Sequence, residues 1–199
     1  MIYELALVVK SDLRDDDLAK LTKTVESAMK KDGSLLLSDD WGVRTLAWPT
    51  SRGIKQGRYL YFIYENGDNS ELSRNFKIRE DILKYMILKL GEDKDKVLKE
   101  YKTPFSTKYK GSAIDKLEED IESDRKKLMK KRVCWLTAKN ITPDWKDPET
   151  YIWAINDFGK ISPARITALT SKMQREVTAT IKKAKQLGIV SYMTHDILR

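Results

Sequence analysis

Hydrophobic residues open the chain as a short, nearly unbroken run. Residues 3–10 hold Tyr3, Leu5, Ala6, Leu7, Val8 and Val9, the composition of a buried strand. The period then changes. Leu18, Leu21, Val25 and Met29 recur at helical spacing, with Ser11 or Asp12 available as the cap and Gly33 as the natural stop. Residues 34–46 and 57–65 read as a pair of strands, with Pro49 and Gly53 between them. Asp68-Asn69-Ser70 offers caps for a second helix carrying Leu72 and Phe76 on one side, and residues 82–90 give a last strand. This order, strand-helix-strand-strand-helix-strand, is that of the ferredoxin-like split βαβ sandwich, a sheet with two helices on one face.

Beyond Gly91 the pattern turns polar, and apolar positions stay sparse to about residue 111. Residues 113–131 predict a linker helix with a narrow apolar stripe of Ile114, Leu117, Ile121 and Leu128. Its first half is acidic and its second half basic, which complements the helix dipole. A shorter helix over 148–158 would put Tyr151, Ile152, Ile155 and Phe158 on its apolar side, with Gly159 as its end. In the last predicted helix, Ser171 followed by Gln174 three residues on is a capping box, and Gly188 stands where a C′ glycine belongs. Met173, Val177, Ile181, Ala184 and Leu187 share one face of it. Lys172, Arg175, Lys182, Lys183 and Lys185 lie on the other, with Glu176 as the sole carboxylate. The predicted class is therefore α+β. A ferredoxin-like domain occupies 1–91, a charged linker with a helix 92–129, and a small basic all-α module 130–199.

Charge sharpens that division. The chain of 199 residues has 38 Lys+Arg against 30 Asp+Glu, net +8, with mean hydropathy −0.55. Residues 1–100 hold 18 of each sign, whereas from Arg125 onward the count is 16 against 6. A neutral half joined to a strongly basic half suggests two modules with different jobs. Five cations facing one anion repel each other unless a polyanion neutralises them, so the last helix predicts polyanion binding. Lys160 and Arg165, on either side of Pro163, extend that surface.

Other classes lack their residues. No run of ~18 apolar residues exists, so no membrane partner is expected. The opening residues predict no secretory signal, and a soluble, reducing compartment is the expectation. One Cys and one His are too few for a zinc site built from those types; no metal and no cofactor is expected, and Cys134 reads as a packed thiol. His195, near the tail, has no nucleophile beside it, and neither a Gly-rich phosphate loop nor paired catalytic carboxylates are visible, so no enzyme is expected. The loop Lys10-Ser11-Asp12-Leu13 has an acid and no glycine where an acylphosphatase-like site would need anion donors. Residues 57–64 look faintly like the base-stacking strand of an RNA-recognition motif. Their aromatics fall on both faces, however, and residues 3–10 supply no second signature, so packing is the expected role. The alternative binding class is a free nucleic-acid-binding regulator with a ferredoxin-like domain, its residues 164–187 acting as a helix-turn-helix.

Two sets of residues carry a resemblance. Tyr3-Glu4-Leu5 with Val8-Val9, then Trp41-Gly42-Val43-Arg44-Thr45-Leu46-Ala47-Trp48-Pro49 and Asp81-Ile82-Leu83-Lys84-Tyr85, make residues 1–91 similar to bacterial small-subunit ribosomal protein six. Gly159-Lys160-Ile161-Ser162-Pro163-Ala164-Arg165-Ile166-Thr167, Thr170-Ser171-Lys172, Gln174-Arg175 and Ile181-Lys182-Lys183-Ala184-Lys185 make the region from about 130 onward resemble small-subunit ribosomal protein eighteen. The resemblance implies a fused pair of platform proteins that bind each other, neighbouring small-subunit proteins and the central domain of small-subunit ribosomal RNA, in a ribosome-associated, cytoplasmic setting. It implies RNA contacts at Lys160, Arg165, Lys172, Arg175, Lys182, Lys183 and Lys185, and makes Tyr59, Tyr61, Phe62 and Trp48 candidates for docking the second module. Three departures stand out: Ala164 where a second Arg is usual, Gln186 where a further basic residue is common, and Thr137 where some members carry a second Cys.

Overall fold

A computed structural model describes residues 1–31, 33–50, 53–100 and 134–193. It divides into two compact units, Met1–Lys102 and Thr103–Arg199, at a point inside the segment read as a linker. The helix expected over 113–131 and the tail with His195 lie outside the described residues.

The first unit has the expected order: β1 (Ile2–Lys10), α1 (Asp15–Lys31), β2 (Ser34–Thr45), β3 (Gln56–Glu65), α2 (Ser70–Ile78) and β4 (Ile82–Gly91). The four strands form one antiparallel sheet in the order β2-β3-β1-β4. In β1, Leu7 faces Leu60 of β3 on one side and Tyr85 of β4 on the other. The two-residue period of a strand sends Leu5, Leu7 and Val9 of β1, with Leu60, Phe62 and Tyr64 of β3, into one core. Leu21, Val25 and Met29 of α1 and Leu72 and Phe76 of α2 complete it.

One local expectation is corrected here. Neither Ser11 nor Asp12 starts α1: the helix begins at Asp15, and Leu18 donates its N–H to the Arg14 carbonyl at 2.9 Å. Asp15, Asp16 and Asp17 fill its first turn, where three carboxylates gain from the positive end of the helix dipole. The helix ends at Lys31, shortly before Gly33, and Gly33 meets a further need, since a Cβ there would run into the Glu65 carbonyl across the sheet. An additional short helix, α3 (Lys94–Glu100), follows β4, and Lys94 pairs with Glu65 at 2.6 Å.

The candidate docking aromatics separate. Phe62 belongs to the core beneath the helices. Tyr59 and Tyr61 point to the opposite face and are also buried, with Trp41 stacked on Tyr61 at 4.9 Å and on Tyr59 at 6.5 Å. The Tyr61 hydroxyl donates to the buried Glu4 carboxylate at 2.6 Å. Neither tyrosine offers an open ring to a base. Trp48 holds the Lys84 ammonium 3.0 Å above its ring.

The second unit contains α4 (Trp135–Ala138), two single-turn 3-10 helices (Pro148–Thr150 and Ile152–Ala154), α5 (Ala164–Thr167) and α6 (Ser171–Gln186). The single helix expected over 148–158 is thus broken. Ile155 is extended and bridges Ile161, and the intervening turn closes with the Asn156 N–H on the Lys160 carbonyl at 2.8 Å. Phe158 consequently projects into solvent, 64% exposed, while Trp145 and Ala154 join Tyr151 among the buried residues. Cys134 is buried; burial raises its thiol, but hydrogen bonds from Thr137, Thr170 and Leu136 outweigh that and shift it down overall.

Candidate nucleic-acid interface

Helix α6 organises the basic surface. Its N-cap is Thr170, not Ser171: the Thr170 hydroxyl accepts the Met173 N–H at 3.4 Å, and Ser171 is the first helical residue. Gln174, freed from a capping box, bridges two neighbours. Its side-chain oxygen accepts from the Thr167 hydroxyl at 2.9 Å, and its amide donates to the Ser162 carbonyl at 2.9 Å. At the other end Gly188 adopts φ +76 and closes a Schellman motif, with Gly188 N–H on Lys185 O at 3.1 Å and Ile189 N–H on Ala184 O at 3.0 Å. The helix buries Val177, Thr180, Ile181, Ala184 and Lys185.

Those attachments fix the segment that precedes the helix. Lys160 sits in the turn closed by Asn156, whose side-chain oxygen accepts the Lys160 N–H at 2.7 Å. Ser162 donates its N–H to Ala154 O at 2.8 Å. Arg165 lies on α5, which starts after Pro163 and ends at Ala168 in the left-handed conformation, φ 56. That single turn is too short to serve as the first helix of a helix-turn-helix.

Five of the seven proposed contact residues are exposed: Lys160, Arg165, Lys172, Arg175 and Lys182. Lys183 is half-buried. Among the described residues, none of these six pairs with a carboxylate. From Lys172 to Lys182 the cations extend about 15 Å along the axis. Lys185 is the correction. It is 7% exposed, its ammonium donates to the Gly159 carbonyl, and Tyr192 presents its ring 5.6 Å away. Burial shifts its ammonium down. Its wheel position borders the apolar face, at about 40° from Ile181, so packing claims it. Gly159 completes the arrangement with φ +75 and its ideal Cβ position only 2.6 Å from Tyr192 O, room and conformation that glycine alone supplies. Of the two residues that position the cations, Gln174 is marked in the sequence only by the capping-box spacing, which points to another role, and Asn156 by no spacing rule.

Comparisons with known proteins follow the same division. Residues 2–89 match the family model described as Ribosomal protein S6, and residues 139–190 match that of Ribosomal protein S18. Small ribosomal subunit protein bS18A of Roseiflexus sp. (strain RS-1) is 38% identical over 68 residues, covering 34% of this chain and 77% of that protein. Small ribosomal subunit protein bS6 of Sulfurovum sp. (strain NBC37-1) is 34% identical over 96 residues, covering 47% of this chain and 75% of that protein. The bS6 protein of Geobacter sulfurreducens is also 34% identical over 96 residues, covering 46% and 80%. The crystal structure of 30S ribosomal protein S6 from Thermotoga maritima is similar at 17% identity and a TM-score of 0.43, over 50% of this chain and 92% of that one. The chain therefore belongs to two families in succession, that of ribosomal protein S6 through its first unit and that of ribosomal protein S18 through its second.

Proposed function

We propose that this chain is a structural constituent of the small ribosomal subunit that binds small-subunit ribosomal RNA, in its central domain, through α6 and the Lys160–Arg165 turn. The observation that carries the surface is a set of six cations without carboxylate partners among the described residues, on backbone that Gln174, Asn156 and the Lys185–Gly159 contact hold in place. Lys160, Lys172, Lys182 and Lys183 neutralise phosphates as point charges. Arg165 and Arg175 add planar forks for bidentate phosphate contacts. Such contacts fix position and register and leave sequence unread, which suits a structural protein on one defined RNA. No catalytic step is assigned to the chain. Its setting is the ribosome, in the cytoplasm, beside neighbouring small-subunit proteins.

Pairing of the two halves with each other is part of the same reading. With residues 94–100 helical in α3, residues 92–112 reach at most ~55–60 Å, a span compatible with contact within one chain. Tethering in one chain raises the effective concentration of each half for the other.

The test is a density-gradient separation of native lysate with intact-mass analysis of each fraction. Full-length chain at stoichiometric amount in the small-subunit peak is expected. Two fragments in that peak would keep the ribosomal role and make the fusion a precursor. Intact chain confined to light fractions at low salt would overturn the ribosomal role and favour a free nucleic-acid binder.

A further inference from the structure

Beside the cations lies a small exposed apolar surface that phosphate binding leaves unused. Phe158 is 64% exposed, Met193 57% and Tyr192 50%. They come from two segments pressed together at Gly159, whose ideal Cβ position is 2.6 Å from Tyr192 O and 2.9 Å from the Met193 Cα. The turn is stiff. The Asn156 side-chain oxygen accepts the N–H of both Phe158, at 3.2 Å, and Lys160, at 2.7 Å, and the Gly159 N–H donates to Asn156 O at 2.8 Å. Phe158 is thus held outward by the same turn that holds Lys160 outward. A large aromatic ring held in water on a rigid turn gains burial on contact with little backbone ordering left to do, the economy of a preorganised binding group.

The charges around the turn narrow the occupant. Lys160 is exposed next to Gly159, and Lys185 lies beneath the Tyr192 ring, 5.6 Å from its centre. Asp157 is the one carboxylate within the turn. An exposed aromatic face beside an exposed ammonium group is the combination that unpaired nucleotides meet in single-stranded nucleic-acid sites: the base stacks on the ring and its phosphate reaches the cation.

Resting on the RNA-binding surface proposed above, we infer that Phe158, with Tyr192 beside it, is a stacking platform for one unpaired base of the RNA. The base lies against the ring, and Lys160 takes the phosphate of the same or the adjoining nucleotide. The platform recognises an unstacked nucleotide, which the phosphate contacts of α6 do not distinguish from a paired one.

The experiment compares the full chain on two fluorescein-labelled RNA hairpins that differ only by one bulged purine in the stem. Wild type is expected to bind the bulged hairpin more tightly. Phe158→Leu keeps the apolar volume and removes the aromatic face; it should weaken binding to the bulged hairpin roughly fivefold or more and leave the paired hairpin unchanged. Phe158→Trp should retain the preference. The exposed site predicts unaltered thermal unfolding for both variants, which separates the effect from misfolding. Equal losses on both hairpins, no loss on either, or an effect confined to association with another protein would overturn the platform while leaving the cationic surface intact. Failure of wild type to bind either hairpin at low salt would instead overturn the RNA-binding reading, and the platform with it.

Discussion

Lys185 and Lys182 are one turn apart on the same helix and have opposite environments. The first is buried with its ammonium on the Gly159 carbonyl, and the second is exposed. Replacing Lys185 with Met removes a charged donor from a buried carbonyl, a loss of about 1–3 kcal/mol. Lys182→Ala should change stability by less than about 0.5 kcal/mol and should reduce RNA affinity. Thermal unfolding and RNA titration of both variants check the pair together. Lys84 carries a pH dependence. Burial pushes its ammonium down from the usual lysine value to about 8, while the Trp48 ring at 3.0 Å opposes the shift by favouring the charged form. Between pH 8 and the ordinary lysine value the unfolded chain then binds more protons than the folded one, so this group's contribution to stability rises with pH. The cost of the buried charge is fully present below pH 8. In urea unfolding from pH 7 to 10, wild type should gain relative to Lys84→Met as pH rises. A constant difference would mean that the ring holds the ammonium fully charged.

Among the elements, α6 shows how one residue of shift at a cap redistributes side-chain roles. With Thr170 as N-cap, Gln174 is free to join α5 and the Ser162 segment to the helix. Thr170→Ala should cost about 1 kcal/mol, whereas Ser171→Ala, at the first helical position, should cost less than half of that. Equal costs in chemical denaturation would restore Ser171 as the cap. The broken 148–158 segment shows the same dependence on neighbours. Its apolar spacing suits a helix, yet the Ile155–Ile161 bridge and the Asn156 turn satisfy backbone groups that a helix would have satisfied internally.

For the whole molecule, the uneven charge sets the salt response. Six exposed or half-exposed cations, without carboxylate partners among the described residues, give, if each meets a phosphate, a slope of log affinity against log salt of about −4 to −5. Titration of a small-subunit RNA fragment between 50 and 200 mM salt should give a slope no steeper than that. Arg175→Ala or Lys182→Ala should each lower its magnitude by up to about one, and Lys185→Met should leave it unchanged. A slope near zero would remove phosphate neutralisation as the source of binding.

The sequence alone determined the strand and helix order of the first unit, since periods of two and 3.6 residues are written in residues such as Leu5, Leu7 and Val9 or Leu21, Val25 and Met29. It determined the basic face of α6 and the glycine after it, because amphipathicity and a left-handed C′ position are local properties. It carried both family signatures. Only the tertiary structure decided which of two adjacent candidates caps a helix, because that depends on where the chain arrives from. It assigned Phe62 to the core beneath the helices and Tyr59 and Tyr61 to the opposite face of the sheet, because a strand pattern with aromatics on both sides does not name the helix side. It also took Lys185 from the cationic face into the interior, because a lysine at the edge of an apolar stripe goes wherever a carbonyl acceptor lies within reach, and Gly159 supplies that acceptor from 26 residues away.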